Sequence, residues 1–436
     1  MEKTSVRRFS TSIIKPKPDQ EDKPRLALTP WDLPILSAHY IQKGLLFPNL
    51  QNSLVDSLRH SLSRALAIFY PLAGRLVTET DDISSCISID CNAAGAEFVH
   101  AAADITVDDV LAPIDVPPIV QSFFPLNEAV NHDGHFLPLL AVQLTELRDG
   151  YFIGCSFNHA VADGSAFWQF FTSWAEITRN GTTAAISRPP VTQRCFLNGT
   201  SEVRLPFKDV NVLIERYKPP PLTDRFFHFS RQSISRLKAR ANEEAKKYNI
   251  SSFQALSALT WRSIVRAMGL PRDEKTTCKF SVDSRSRLNP PLSRDYFGNA
   301  IGMISATATV EKLLDNKLGW AAAVLNQNVA AHTDEVVRGA LDAWVTSPKI
   351  HHLSALNGQA VTTGSSPRFD VYGVDFGWGK AAAVRSGIDN KFSGKITSFP
   401  GREGIGSIDL EICLPSAAMR ALVTDDEFVE FIAAMD

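Results

Sequence analysis

Residues 150–171 read Gly150-Tyr151-Phe152-Ile153-Gly154-Cys155-Ser156-Phe157, then Asn158-His159-Ala160-Val161-Ala162-Asp163, then Gly164-Ser165-Ala166-Phe167-Trp168-Gln169-Phe170-Phe171. The first run is continuously apolar and short, the pattern of a buried strand. The last has the look of a helix with an aromatic face. Between them lies a strand-to-helix corner, a place where a side chain can be held rigidly at the mouth of a cleft. His159 stands on that corner, and imidazole is the side chain best suited to proton transfer near neutral pH. Asp163, four residues on, can fix the loop that carries it.

Outward from the corner, Leu139 to Leu147 reads as a neighbouring strand joined by a turn at Arg148-Asp149-Gly150. Ser165 to Arg179 reads as the following helix. Upstream, Leu54 to Ile68 carries Leu54, Val55, Leu58, Leu62 and Leu66 at helical spacing and is stopped by Tyr70-Pro71. Arg8 to Ile14 reads as a first strand. The rhythm breaks over Ile186 to Pro221, with Pro189, Pro190, Pro206, Pro219, Pro220 and Pro221, and with a glycosylation-like Asn198-Gly199-Thr200. That segment predicts a crossover linker. Beyond it, Phe226 to Phe229 and Ser407 to Leu414 read as strands. Ser233 to Lys247, Ser251 to Met268, Leu313 to Ala331, Glu335 to Ser347 and Asp425 to Met435 read as helices, and Ser251 or Ser252 caps the second of these. The expected organisation is α/β in two halves: a domain over 1–185, the linker over 186–221 and a domain over 222–436.

Composition narrows the function. A chain of 436 residues with 44% apolar content is long for one core, which agrees with two domains. Lys plus Arg number 45 and Asp plus Glu 47, a net charge of -2 that argues against nucleic acid as partner. The cysteines at 86, 91, 155, 195, 278 and 413 form no C-x-x-C pair and predict reduced thiols in the cytoplasm. No apolar run approaches the roughly 20 residues of a membrane span. Arg7 and Arg8 make no basic arm, and Asp19 to Asp22 brings acidity that a transit peptide avoids.

A second segment, Asp375-Phe376-Gly377-Trp378-Gly379-Lys380, joins the first in order and separation. So do Leu28-Thr29-Pro30-Trp31-Asp32, Phe69-Tyr70-Pro71-Leu72-Ala73-Gly74-Arg75-Leu76, Ser281-Val282-Asp283-Ser284-Arg285-Ser286-Arg287-Leu288 and Tyr296-Phe297-Gly298-Asn299-Ala300. Together they resemble the plant BAHD acyltransferases, which move an acyl group from coenzyme A to an alcohol or amine, over nearly the whole chain. The resemblance implies two chloramphenicol-acetyltransferase-like domains with a channel between them and acyl-CoA as co-substrate. It also implies a small-molecule acceptor, no permanently bound cofactor or metal, and a monomer.

A hydroxyl is a weak nucleophile and must lose its proton as it attacks a thioester, so His159 is the expected general base. Asp163 is expected to be structural, and the resemblance pairs it with an arginine; Arg285 and Arg287 both remain open. Asp375, Gly377, Trp378 and Gly379 are expected to support the site, the glycines by letting backbone pass close to backbone. Trp378 is placed either on the acyl pocket or in the core, and Lys380 on the surface. The N-terminus around Ser251 and Ser252 offers N–H groups and a favourable dipole to a phosphate of coenzyme A, with Lys279 and Arg272 as possible added charge. Arg368 stands seven residues before Asp375, where relatives with acidic acceptors hold a carboxylate. The stretch Ser37 to Phe47, with His39 as an expected substrate contact, and Ala300 in place of a cysteine resemble a less characterised branch of the family. That branch includes cuticle-related acyltransferases and a member that cleaves an isochorismoyl-glutamate conjugate. The competing functions are therefore a lyase on the same scaffold and a non-catalytic binding protein.

Other patterns point elsewhere. Gly401-Arg402-Glu403-Gly404-Ile405-Gly406 lacks the strand and helix of a dinucleotide fingerprint. His132-Asp133-Gly134-His135 and His351-His352 lack a third ligand at metal spacing and read as polar loops.

Overall fold

The computed structural model describes residues 5–17, 23–48, 54–181, 185–197, 199, 202–356 and 358–432. Asn198 and Thr200 of the glycosylation-like triplet fall outside them. The first half contributes strands β1 (Val6–Ile14), β2 (Leu26–Ala27), β3 (Ile41–Pro48), β4 (Arg75–Thr80), β5 (Ser85–Asp90), β6 (Ala96–Ala103), β7 (Leu140–Glu146) and β8 (Gly150–Phe157). The second contributes β9 (Thr223–Phe229), β10 (Lys275–Asp283), β11 (Ile301–Thr309), β12 (Ala360–Gly364), β13 (Ala383–Ser386), β14 (Lys395–Pro400) and β15 (Ile408–Leu414). Two six-stranded mixed sheets result, in the orders β1-β6-β7-β8-β3-β13 and β11-β10-β12-β14-β15-β9, beside a small sheet β2-β5-β4.

Each large sheet buries an apolar face under helices. The helices Leu54–Ile68 and Gly164–Asn180 lie on the first, joined by a hydrogen bond from the Trp174 indole to Ser61 Oγ at 3.0 Å. Their core runs from Leu58, Leu62 and Leu66 to Phe167, Phe170 and Trp174. The helices Arg231–Ala245, Ser252–Met268 and Leu318–Ala331 cover the second sheet around Leu237, Leu259 and Trp261. β8 is buried along its whole length between β7 and β3, which explains its lack of polar alternation.

Three expectations change. The helix expected over 313–331 is two: Val310–Asp315 and Leu318–Ala331. Buried Arg262 donates to the carbonyls of Leu313 and Asn316, taking up acceptors that would otherwise continue the first helix. The closing helix is helical only over Asp426–Val429, and residues 433–436 lie outside the described set. The second half also does not keep to itself. β13 pairs with β3 at the edge of the first sheet, and Val371, Val374, Phe376 and Val384 pack in the first core. An unpaired β3 edge would leave backbone groups without partners, and the returning strand supplies them.

Candidate active site

The corner after β8 is pinned by backbone bonds. Asn158 N–H donates to Leu139 O at 2.9 Å and Asn158 Oδ1 accepts from Ala160 N at 3.0 Å. Asn131 Oδ1 accepts from His159 N at 2.7 Å, while Asn158 Nδ2 donates to Asn131 O at 2.8 Å. The His159 carbonyl accepts from Asn299 Nδ2 at 2.7 Å, and that same Nδ2 donates to Asp32 Oδ1 at 2.7 Å. Asp32 is fully buried and holds Thr29 N and Oγ1 with its other oxygen, at 2.8 and 2.9 Å.

The imidazole itself is left free. His159 Nδ1 is buried with no hydrogen-bond partner among the described residues, facing its own carbonyl without ordinary bond geometry. Asn299 Oδ1 is also buried and unpartnered, beside the ring. Protein surrounds the imidazole, and the residue as a whole is half-buried. Burial holds its pKa below the ordinary value, with the charge of Lys395 acting the same way and its own backbone carbonyl, Asp163 and Asn299 opposing. At neutral pH it is uncharged and able to accept a proton.

Asp163 is fully buried and has no free acceptor site pointing to a substrate. Its Oδ1 caps the helix Gly164–Asn180 by accepting from Ser165 N and Ala166 N at 3.0 and 3.2 Å. Its Oδ2 accepts from Ala300 N at 3.0 Å. Arg285 grips it bidentately, Nη1 to Oδ2 at 2.8 Å and Nη2 to Oδ1 at 3.1 Å, and also donates to the carbonyls of Tyr296 and Gly298. The pair therefore joins the two halves of the chain. Arg287 is the wrong arginine: it donates to the carbonyls of Val329 and His332 at the end of a helix.

The Asp375–Lys380 turn is built differently. Gly377 and Gly379 have φ of 96° and 95°, a conformation that excludes side chains. Close backbone approach is not the reason, because a Cβ at Gly379 would meet nothing within 4 Å. Phe376 and Trp378 stack at 5.0 Å, and Phe376 meets Trp174 edge-on at 5.1 Å. Trp378 thus covers the rim of the first core, half-buried, and Lys380 is exposed.

The remaining expected contacts disperse. Ser251 Oγ accepts from Gln254 N at 3.2 Å and Gln254 Oε1 accepts from Ser251 N at 2.9 Å, an ordinary capping box. His39 is buried, donating its N–H to Asn390 Oδ1 and accepting at Nδ1 from Asn390 N. Arg368 is exposed, on a loop whose Phe369 ring lies against Gly164. His135 hydrogen-bonds to His132 O and Thr78 Oγ1, and Asp133 pairs with Arg216 at 2.7 Å, a polar network. Asn299, Asn131 and Asp32 were missed as site residues. Asn299 and Asp32 lie inside stretches that carried the resemblance, yet neither residue's type announces a role.

The model for the transferase family matches residues 4–429. An uncharacterized acetyltransferase of Arabidopsis thaliana is 41% identical over 97% of this chain and 98% of its own length. The BAHD acyltransferase DCR of the same plant is 36% identical over 97% of this chain and 92% of its own. The chain is a BAHD acyltransferase. Membership makes it an acyl-CoA-dependent transferase. Among solved structures, vinorine synthase covers 99% of both chains with a TM-score of 0.76 at 22% identity. TRI101 of F. sporotrichioides, complexed with coenzyme A and T-2, covers 94% of this chain and 99% of its own with a TM-score of 0.73 at 20% identity. Both have the two-domain fold found here.

Proposed function

We propose that the protein transfers an acyl group from an acyl-CoA to the hydroxyl or amine of a small plant metabolite, with His159 as general base. The observation that carries this reading is the free, uncharged imidazole on a corner whose backbone is otherwise tied down. As the acceptor oxygen attacks the thioester carbonyl, imidazole takes its proton. Collapse of the tetrahedral intermediate breaks the carbon–sulfur bond, and imidazolium returns the proton to the leaving thiolate. No acyl-enzyme forms. Asp163 is a positioning residue, since its contacts all serve the corner, and Arg285 acts through it.

Coenzyme A fits the helix N-terminus at Ser252. Ser251 Oγ is taken by the cap, but Ser252 and Phe253 keep N–H groups without an intrahelical partner, at a surface position. The TRI101 complex supports a coenzyme A site on this fold. Arg368, whose guanidinium has no partner among the described residues and whose neighbour Phe369 lies against Gly164 of the corner, would serve as a contact for an acidic acceptor, and Trp378 would border the acyl group. Six unpaired thiols suit a reducing cytoplasm, and no helix among the described residues is long and apolar enough to cross a membrane.

A thermal-shift titration tests the reading. Coenzyme A at a hundredfold excess over its Kd stabilises by about 2.7 kcal/mol, and Ser252→Asp should blunt the shift. No shift with any acyl-CoA, together with stabilisation by an isochorismoyl-glutamate conjugate, would replace acyl transfer by lyase cleavage. Binding of both without turnover would leave a non-catalytic binding protein.

A further inference from the structure

The face of the second sheet that looks toward the first carries charge where its other face carries core. Along β14, Ile396 packs in the second core while Phe399 reaches the first, so Lys395 and Thr397 share the inward face with Phe399. Thr362 of β12 pairs beside Lys395, and Cys413 of β15 pairs on its other flank. Glu411 stands beside Thr397, and Asp224 beside Cys413. From the first sheet, Lys43 of β3 reaches across to 5.2 Å from the Phe399 ring, with Nζ 2.6 Å from Ser386 Oγ. With Lys391, which bonds both Asp224 and Glu411, three lysines and two carboxylates meet between the halves.

Their pairing is uneven. Lys391 holds both carboxylates, Asp224 Oδ2 at 2.6 Å and Glu411 Oε1 at 2.9 Å. Lys43 has Ser386, with Glu411 as its strongest favourable charge. Lys395 Nζ has no hydrogen bond or ion pair among the described residues. It rests over Gly364, where a Cβ would stand 2.6 Å away, so glycine is what gives the ammonium room. Beside it the Thr362 hydroxyl, in a residue 4% exposed, is also without a hydrogen-bond partner among the described residues. Cys413 supplies no counter-charge, because burial keeps its thiol protonated. Lys395 retains water-accessible surface, and its charge is felt at His159.

We propose that Lys395 and the Thr362 hydroxyl form a carboxylate-binding subsite on the inward face of the second sheet, so that one of the two substrates carries a carboxylate remote from its reacting atom. The proposal rests on the acyl-transfer reading. Burial pulls the Lys395 pKa below the ordinary lysine value, with the charge of Glu411 opposing and the Phe392 ring 5.6 Å from Nζ; a ligand carboxylate would take one charge-assisted bond from Lys395 and one hydrogen bond from Thr362. The carboxylate belongs either to the acceptor or to the far end of the acyl group.

Affinities of the wild type, Lys395→Met, Lys395→Gln and Lys395→Arg decide it, measured by calorimetry on protein whose melting is checked. The donor arm compares malonyl-CoA with acetyl-CoA. The acceptor arm, with coenzyme A present, compares p-coumarate and shikimate with their methyl esters. The wild type should favour the charged member of one arm by about 10- to 100-fold, and the arm that responds identifies the source. Lys395→Met and Lys395→Gln should erase that preference while binding the uncharged member as before, and Lys395→Arg should keep part of it. Indifference to charge in both arms, or a preference that survives in a folded Lys395→Met or Lys395→Gln protein, overturns the subsite. Failure of the wild type to bind coenzyme A while still preferring acids would instead overturn acyl transfer and leave the subsite standing.

Discussion

The corner at His159–Asp163 and the turn at Asp375–Lys380 are both short, both rest on the first core and both carry an aspartate, but they use it oppositely. Asp163 is fully buried, accepts from three backbone N–H groups that lie as far apart in sequence as Ser165 and Ala300, and binds one arginine with two bonds. Asp375 keeps 34% of its side chain exposed and meets Arg179 at 3.2 Å near the surface. In the corner, charge does the holding and the one side chain left over, His159, is free for chemistry. In the turn, the aromatics do the holding and charge is decoration at the rim. Similar motifs therefore differ in how much a charge can matter, because burial sets the effective dielectric.

His159→Ala is the sharpest test of the corner. The backbone bonds that shape the corner do not involve the ring, so the variant should fold with little change in melting temperature. Turnover should drop by about 100- to 10,000-fold, the usual worth of general base catalysis. Near-wild-type rates with the physiological acyl-CoA would remove His159 from the mechanism. The same comparison has a pH form. Because burial lowers the folded pKa, the imidazole stays neutral to below its ordinary 6.5. Activity should be flat near neutrality and fall only as pH drops through a midpoint under 6.5. A midpoint above 6.5 would mean that a carboxylate, not burial, governs the ring.

Asp163→Asn moves the same five-residue stretch through stability. All the partners of Asp163 are donors, so an amide nitrogen in place of either oxygen meets another N–H. It also leaves Arg285 buried with no counter-ion but Asp283 at 3.2 Å. The expected cost is about 3–5 kcal/mol, seen as a lower denaturation midpoint, with activity lost in parallel. Unchanged stability with abolished turnover would move Asp163 from positioning into the chemistry.

The contrast also marks what could be read before the fold was known. The buried strand β8, the helix after it and the His159–Asp163 spacing are local, and local periodicity exposes them. The choice between Arg285 and Arg287 was not local. The two are two residues apart on one turn and differ only in what faces them: Asp163 for one, the carbonyls of Val329 and His332 for the other. Asn299 joins Asp32 to His159 across separations of 267 and 140 residues, and β13 crosses back to the first sheet. Contacts of that range leave no periodic trace. The two glycines of the turn were legible as glycines, but their reason, positive φ without close packing, needed the backbone.

Phe376→Ala carries the comparison into the turn. The ring is almost fully buried among Trp174, Trp378, Phe47 and Phe171, with centroids 5.1, 5.0, 5.8 and 6.1 Å away. Deleting it should cost about 3–5 kcal/mol through lost transfer and an unfilled cavity. A loss well under 2 kcal/mol would show that the turn, unlike the corner, is not held from inside.

Arg179→Ala should give the smallest effect, and it closes the comparison. The guanidinium side chain is 43% exposed and its bond to Asp375 is a single contact, so the pair is screened by water. Removing it leaves Asp375 with its own cap, since Oδ1 still accepts from Gly377 N at 2.7 Å and the turn keeps its φ values. The expected loss is at most about 1 kcal/mol, the range for an exposed ion pair, and smaller still in high salt. Chemical denaturation at low and high ionic strength measures both. A salt-insensitive loss of several kcal/mol, comparable to that of Asp163→Asn, would mean that the aspartate of the turn is as structural as the aspartate of the corner, and the distinction between buried and rim charge would not hold in this protein.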